Sequence, residues 1–181
     1  MKRTTISLLF GVALFISACG GEGEEKEESS PKGNLSIETE DIKGTLSAPE
    51  GASISPGTYT TTIDGETITI DQDIVHIGQN EIVVYKDPEP WEKVREDFNI
   101  LTSMGVEILQ ESEGLIFFSQ KKVPHMSDSD EEKTGYGFIL QKDVDGTPVR
   151  LQSHGDNPLD PIWDKGDAEK LLKVARSFKA E

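Results

Sequence analysis

The sequence contains a single cysteine, Cys19, so it cannot form an intramolecular disulfide. Basic residues are also few: 18 lysines and arginines stand against 34 aspartates and glutamates, which gives a net charge of −16 at pH 7. A chain this acidic repels DNA, RNA and anionic lipid surfaces. Nucleic acid is therefore excluded as a partner, whereas a basic protein or a cation is compatible with the charge.

The sequence motifs of common active sites are absent. Ser119 and Ser153 lie in segments of strand-like composition, without the Gly-x-Ser-x-Gly turn that exposes a hydrolase nucleophile. None of the three histidines has a second histidine at metal-site spacing, and no glycine-rich phosphate loop occurs. We predict no catalytic residue and no cofactor, and we expect His76 to be a strand residue that faces outward or is hydrogen-bonded. A hydrolase site formed by Ser153, His154 and Asp156 is an alternative that the sequence leaves open.

The apolar segment at residues 6–18 is shorter than the roughly 20 residues that a helix needs to cross a bilayer. Lys2 and Arg3 precede it, and small residues end it. A short positive region followed by a short apolar segment is typical of a secretory signal. The sequence therefore assigns residues 1–18 to a signal peptide.

The segment Ile16-Ser17-Ala18-Cys19 resembles the lipobox of bacterial lipoproteins, in which a branched apolar residue and two small ones precede an obligatory cysteine. The resemblance implies cleavage between Ala18 and Cys19, with diacylglycerol attached to the Cys19 thiol and an acyl chain on its amine. Two or three acyl chains anchor a protein stably, because each buried CH₂ group contributes about 0.8 kcal/mol. We therefore expect a lipid-anchored protein of the cell envelope, in the outer membrane and either periplasmic or surface-exposed, with the lipid bilayer as a partner.

Five glutamates lie among glycine, serine and proline in residues 19–35. This composition cannot bury enough apolar surface to fold, so we predict a lipidated, acidic and disordered tether. An acidic run directly after the lipidated cysteine is also similar to the export signals of surface lipoproteins of some Gram-negative bacteria. The sequence leaves both interpretations open, a spacer and a sorting signal.

Residues 36–181 have the length of one ordinary domain, and its first half is rich in strand-forming residues. The Asp-Gly pairs at 64–65 and 145–146 favour two-residue turns, so we predict β-hairpins at 58–70 and 135–153. The run Leu-Ile-Phe-Phe at 115–118 is apolar on both faces, which indicates a central position in a sheet. Further strands are predicted at 42–47, 74–77, 81–85, 106–111 and 115–120.

Two segments show the periodicity of amphipathic helices. The first, residues 87–105, has Asp87 as the expected cap and Pro88 in the first turn. Its expected apolar face consists of Trp91, Val94, Phe98, Leu101 and Met104. The second, residues 163–178, is led by Trp163 and closes the domain. Its expected buried stripe consists of Ala168, Leu171, Leu172, Ala175 and Phe178.

This order of elements resembles the PsbP-like family, named for an extrinsic subunit of the photosynthetic oxygen-evolving complex. The similarity is greatest in the C-terminal third, where a strand, an Asp-Gly turn and a strand precede a tryptophan-led helix that ends in Ser177-Phe178. The resemblance implies an α+β fold: an α/β/α sandwich with a central antiparallel sheet, an N-terminal β-hairpin and a C-terminal helix. Members of the family are mostly non-enzymatic binding and assembly modules.

We therefore expect a membrane-anchored lipoprotein that acts as a non-catalytic binding or assembly module, with another envelope or extracellular protein as its partner. The alternatives are a cryptic hydrolase and a Ca²⁺-responsive module that uses the acidic loop at 125–133. Neither that loop nor the pair Asp71 and Asp73 matches an EF-hand, but both concentrate the oxygen ligands that Ca²⁺ prefers. The candidate weak ligands in the loop are Asp128, Asp130, Glu131 and Glu132.

Overall fold

The structure is a computed structural model of the chain, and it describes residues 32–63, 65–103, 105–122, 133–153 and 161–181. Ten strands and two helices are present in these ranges. They are β1 (Lys32–Glu38), β2 (Lys43–Pro49), β3 (Ser53–Ile63), β4 (Glu66–Ile77), β5 (Asn80–Lys86), α1 (Trp91–Thr102), β6 (Val106–Ser112), β7 (Leu115–Lys122), β8 (Lys133–Val144), β9 (Thr147–Ser153), α2 (Lys165–Arg176) and β10 (Lys179–Ala180).

The strands form two antiparallel sheets. The larger has seven strands in the order β3-β4-β5-β9-β8-β7-β6, and the smaller has three in the order β1-β2-β10. The predicted α+β class with mainly antiparallel strands is therefore confirmed. The three-stranded sheet was not predicted; it forms because β1 and β10, from opposite ends of the domain, both pair with β2.

One face of the large sheet, which we call the α2 face, carries the main core. Val84, Phe117 and Leu151 point to this face and pack with Leu171 of α2 and Leu46 of β2. All five side chains are almost inaccessible to solvent. The α2 face is thus covered by α2 and by the small sheet.

The opposite face, which we call the α1 face, is covered only in part. Val94 and Phe98 of α1 pack against Ile116, Phe118 and Ile139 from the neighbouring strands β7 and β8. Among the described residues, this cluster receives no side chain from β3, β4, β5 or β9. The two helices therefore lie on opposite faces of the sheet, and the α1 cluster does not extend to the β3–β4–β5 part of its face, although Val83 and Tyr85 of β5 are buried there.

The predicted hairpin at 58–70 is confirmed and is longer than expected. β3 and β4 pair without a bulge from Ser53 opposite His76 to Ile63 opposite Glu66. β5 pairs with β4 only from Gln72 onward, so residues 58–63 and 66–71 form a two-stranded extension, which we call the ribbon. The second predicted hairpin is also confirmed, with φ of 52° at Asp145 and 83° at Gly146, the positive values of a type I′ turn.

The predicted start of the first helix is wrong. α1 begins at Trp91, its N-cap is Pro90, and no side chain caps it. The reason is that a residue before proline avoids the helical conformation, so Glu89 before Pro90 and Asp87 before Pro88 cannot extend the helix backwards. The predicted apolar face is confirmed at Val94 and Phe98, which are buried, whereas Met104 lies outside the described residues.

The closing helix starts two residues later than its predicted leader Trp163. Asp164 is the N-cap, and its carboxylate accepts a hydrogen bond from the amide N–H of Asp167 at 2.9 Å. Trp163 lies outside the helix and is half exposed. The predicted stripe is confirmed as buried, although Phe178 follows the helix rather than belonging to it.

Two further predictions need correction. β1 begins at Lys32, inside the predicted tether 19–35, because pairing with β2 and burial of Ile37 bring this segment into the fold. The run at 115–118 is buried on both faces as expected, but β7 is second from the edge rather than central. Its burial comes from the helices on the two faces of the sheet, not from a central position.

Candidate functional site

Three partly exposed side chains on the α1 face, beyond the cluster formed by α1, form a hydrogen-bonded row. Oγ of Ser55 lies 2.7 Å from Nε2 of His76, and Nδ1 of His76 lies 3.1 Å from Oε1 of Glu81. The strand register explains both contacts. His76 stands directly opposite Glu81 on β5, and on β3 it stands opposite Ser53, two residues before Ser55 and on the same face of the sheet. The order of atoms, Oγ to Nε2 and Nδ1 to carboxylate, is that of a serine-hydrolase triad.

The surroundings of this row differ from those of known triads: the Glu81 side chain is 38% exposed, whereas the triad carboxylate is buried. Ser55 lies within the regular ladder of β3 rather than on the sharp strand-to-helix turn that exposes the nucleophile of α/β-hydrolases. The side chain of His76 is 37% exposed, so solvent and a small ester can reach the imidazole. The row can therefore transfer a proton between Ser55 and solvent.

The prediction that His76 is a strand residue that faces outward or is hydrogen-bonded is confirmed, but neither partner, Ser55 or Glu81, was identified from the sequence. Ser55 is 21 residues away along the chain. Two sequence signals could have identified Ser55: the turn-favouring pairs at 64–65 and 78–79 together determine which residues of the three strands are neighbours.

A second polar group, also on the α1 face, is buried where β5 leads into α1. The Asp87 carboxylate is 1% exposed and forms an ion pair with Nε of Arg150. It also accepts hydrogen bonds from Nε2 of Gln141 at 2.7 Å and from the amide N–H of Glu89 at 3.1 Å. Asp87 thus ties β5, β8, β9 and the entrance of α1 together, rather than capping the helix.

Tyr85 connects this buried group to the ribbon. Its ring lies 5.7 Å from the Arg150 guanidinium carbon and 6.2 Å from the ring of Tyr59, and its hydroxyl donates to Oε1 of Gln152 at 3.4 Å. Burial raises the pKa of Tyr85 to about 12, although the positive charge of Arg150 acts in the opposite direction. Tyr85 is therefore a neutral hydrogen-bond donor at physiological pH.

The ribbon has two different faces. One row, continuous with the α1 face, is only half-buried and consists of Tyr59, Thr61, Ile63, Ile68 and Ile70. The other row is exposed and consists of Thr58, Thr60, Thr62, Thr67 and Thr69. Oγ1 atoms of Thr60 and Thr69 lie 3.3 Å apart across the two strands. β3 carries no charged residue along its whole length, in a chain of which 29% of the residues are charged.

Two open grooves with different rims lie near β6, the strand at the other edge of the large sheet. A groove of about 620 Å³ next to Trp91 is mainly acidic, and Arg95 within it pairs with Glu111. A groove of about 580 Å³ between α2 and the sheet has a mixed rim, which includes Lys165, Glu169, Lys173 and Arg176. No hydrogen bond or burial pattern marks a specific ligand in either groove.

The residues proposed from sequence have different outcomes. Ser153 is fully buried, and its Oγ accepts a hydrogen bond from the amide N–H of Phe138 at 3.0 Å, so it has a structural role in the sheet. Oδ2 of Asp73 accepts a hydrogen bond from the amide N–H of Glu38 at 2.8 Å, while Asp71 is exposed on the ribbon.

The lipidation and cleavage residues, the acidic loop and the other proposed hydrolase residues lie outside the described residues: Ala18, Cys19, Asp128, Asp130, Glu131, Glu132, His154 and Asp156. Ca²⁺ binding at the loop stays a prediction.

Comparisons with known proteins give no match. No family model matches this chain, and no curated protein or solved structure is significantly similar to it. Within the ranges that the structure describes, no group of three or more histidine, cysteine, aspartate or glutamate side chains is placed to hold a metal ion. In the same ranges, no helix is long and apolar enough to span a lipid bilayer.

Proposed function

We propose that this protein is a lipoprotein of the bacterial cell envelope whose α+β domain acts as a non-catalytic binding or assembly module. The lipobox-like segment 16–19 supports a lipid anchor on Cys19. The anchor holds the domain at the outer membrane, on its periplasmic or its outer surface. A PsbP-like α/β/α sandwich is the fold that we propose for the domain, and the position of α1 and α2 on opposite faces of the sheet supports it.

The observation that carries the proposal is the uncharged edge of the large sheet. β3 is an edge strand of 11 residues, and it pairs with β4 without a bulge. Natural edge strands are protected from unwanted pairing by charges, prolines or bulges. After Pro56, residues 57–63 have none of these devices, so this edge can accept a strand from another protein.

The half-exposed packing of the ribbon also supports a binding role for this edge of the sheet. A two-stranded hairpin alone is marginally stable in water, and three or more strands with an apolar face are needed for independent stability. The ribbon presents such an apolar face, and its side chains remain half exposed. An added strand would complete the ribbon and cover part of its apolar row.

Site-specific photo-crosslinking in intact cells tests this function. A photoreactive amino acid is placed at Thr60 on the edge of β3, and the matched control carries it at Glu169, an exposed position of α2. We expect a discrete membrane-associated adduct at Thr60 that is absent at Glu169. The same smear of products at both positions, or no product at Thr60, would contradict a binding role for β3.

A serine hydrolase is the second candidate, and the row of Ser55, His76 and Glu81 favours it. In this reaction Oγ of Ser55 bonds to the carbonyl carbon of an ester while Nε2 of His76 takes the hydroxyl proton and passes it to the departing alkoxide. Water then releases the acid from the acyl-serine with the same base. Glu81 orients the imidazole and stabilises its protonated form.

Labelling with a fluorophosphonate, which reacts with activated serines, distinguishes the two candidates. The hydrolase predicts labelling of the membrane-bound protein that is lost in Ser55→Ala and reduced in His76→Gln. Absence of labelling, or equal labelling of the Ser55→Ala variant, would exclude a nucleophilic Ser55. Neither result changes the expectation for crosslinking at Thr60.

A further inference from the structure

The turn of the β3–β4 hairpin determines which backbone groups of β3 face away from β4. Ile63 and Glu66 flank a two-residue turn, so they exchange the first pair of ladder hydrogen bonds. Bonded and non-bonded pairs alternate along an antiparallel ladder. The backbone N–H and C=O groups of Thr58, Thr60 and Thr62 therefore point to the open side of the sheet.

The position of Pro56 agrees with this assignment. Pro56 stands opposite Asp73 and belongs to the same outward-facing set as Thr58, because two residues separate them. Proline has no N–H, and on edge strands it occupies positions whose nitrogen faces solvent. The outward groups of the three threonines thus recur at every second residue, with no bulge or proline between them.

We propose that this edge pairs with β3 of a second copy of the protein, antiparallel and about a two-fold axis at Thr60. In this register Thr60 stands opposite the partner's Thr60, and Thr58 stands opposite the partner's Thr62. The two large sheets then join into one continuous sheet. This inference rests on the proposed binding function of β3 and names its partner.

The charge distribution restricts where a second copy can bind. Two chains of net charge −16 repel each other, so they can associate closely only through surfaces without acidic residues. β3 is such a surface. A basic protein would instead be attracted to the acidic faces of the domain, and β3 offers it no carboxylate.

The proposed register is also complementary in side chains. Threonine meets threonine at all three hydrogen-bonded positions, and cross-strand threonine pairs stabilise antiparallel sheets. Between them, Tyr59 stands opposite the partner's Thr61. Directly opposite residues share a face of the sheet, so the apolar rows of the two ribbons lie side by side. Each two-stranded ribbon becomes part of a four-stranded one, which meets the requirement for stability.

Single-cysteine crosslinking of the full chain in intact cells tests the inference. Cys19 is the only cysteine of the sequence, so the parent chain reports its background. Cα atoms of a hydrogen-bonded antiparallel pair are about 5.5 Å apart, within the range of a disulfide. We expect Thr60→Cys to give a disulfide-linked dimer after mild oxidation, and a reductant to reverse it.

The register predicts a pattern that chance collision does not produce. Thr58→Cys alone and Thr62→Cys alone give no disulfide-linked dimer, because equivalent cysteines would be four residues, about 13 Å, apart. Coexpression of the two variants restores a crosslinked dimer. Glu169→Cys, on the exposed side of α2, is the matched control and gives no dimer.

Equal crosslinking of all variants, or none at Thr60→Cys, would overturn the inference. The photo-crosslinking result separates the possible failures. An adduct at Thr60 whose mass differs from that of a dimer, together with a monomeric Thr60→Cys chain, refutes the second copy and retains the binding function. If neither the photo-adduct nor the disulfide-linked dimer forms, both the pairing with a second copy and the binding function of β3 are refuted.

Discussion

The two ends of the large sheet differ in how their faces are covered. Around β7, α1 and α2 lie on opposite faces, and residues 115–118 are almost inaccessible to solvent. At the β3 end, no helix of the described residues covers the α1 face, and the apolar row of the ribbon stays half-buried. The β7 end is thus stabilised within the chain, whereas we propose that the β3 end is completed by association.

The residue types follow the same division. The β7 end uses leucine, isoleucine and phenylalanine, which contribute stability only when they are removed from water. The ribbon combines its apolar row with many threonines, whose branched side chain suits a strand and whose hydroxyl tolerates water. The threonine-rich edge can therefore remain soluble before it is paired.

The largest expected effect is at the covered end. Phe118→Ala removes a buried ring that packs 4.9 Å from the ring of Phe98, and we expect a loss of about 3–5 kcal/mol in the free energy of unfolding. Denaturant titration monitored by circular dichroism measures it. Ile100→Ala on the exposed side of α1 is the control, and a similar loss in both variants would contradict the assigned core.

The next effect concerns the buried ion pair. Asp87→Ala leaves Arg150 with its charge largely desolvated, and removal of one partner of such a pair costs about 3 kcal/mol. Asp41→Ala is the control, because Asp41 pairs with Lys86 at 3.2 Å with both side chains about half exposed. An exposed pair contributes about 0–1 kcal/mol. If the two variants unfold at the same denaturant concentration, Asp87 does not tie the strands together.

A smaller effect is expected in alkaline solution at the junction of the two ends. The pKa of Tyr85 is about 12 in the folded protein and about 10 in the unfolded chain. The unfolded chain therefore loses the proton first, and stability falls as the pH rises between these values. Tyr85→Phe should weaken this fall when the free energy of unfolding is compared at about pH 8 and about pH 11. An unchanged pH dependence would show that Tyr85 is not buried as described.

The smallest expected effect on the domain itself is at the ribbon. Ile68→Ser should lower the free energy of unfolding by less than about 1.5 kcal/mol, since full burial of an isoleucine contributes roughly 1.5–3 kcal/mol. The same change should reduce the disulfide-linked dimer of the Thr60→Cys chain, because the apolar rows then match less well. Thr67→Ser on the exposed row is the control. If Ile68→Ser leaves the yield of disulfide-linked dimer unchanged, the apolar row of the ribbon is not part of the interface.

Local patterns in the sequence were sufficient for several elements. The Asp145-Gly146 turn, the buried positions Val94 and Phe98 of α1 and the buried stripe of α2 depend on residues close together in the chain, and the structure confirms them. The role of Asp87 could not be predicted in this way, because its partner Arg150 is 63 residues away. An aspartate before a proline has the local pattern of a helix cap, and only the register of β5 with β9 places it beside Arg150.

Features that depend on pairing between distant segments were missed. The first residues of β1, 32–35, were assigned to the tether because they follow its run of glutamate, glycine, serine and proline, whereas pairing with β2 places them in the fold. The row of Ser55, His76 and Glu81 needs the registers of two successive hairpins. The open edge of β3 is likewise a property of strand order, which hydrophobic periodicity does not contain.

Residue-resolved hydrogen exchange of the full, detergent-solubilised chain tests most directly whether β3 pairs with a second copy. The amides of Tyr59 and Thr61 face β4 and report the hairpin itself, whereas those of Thr58, Thr60 and Thr62 face the open edge. We expect the three threonine amides to become protected as the protein concentration rises, and more readily at high salt, which screens the repulsion between acidic chains. Fast exchange of these three amides at every concentration, with Tyr59 and Thr61 protected throughout, would contradict self-association through β3.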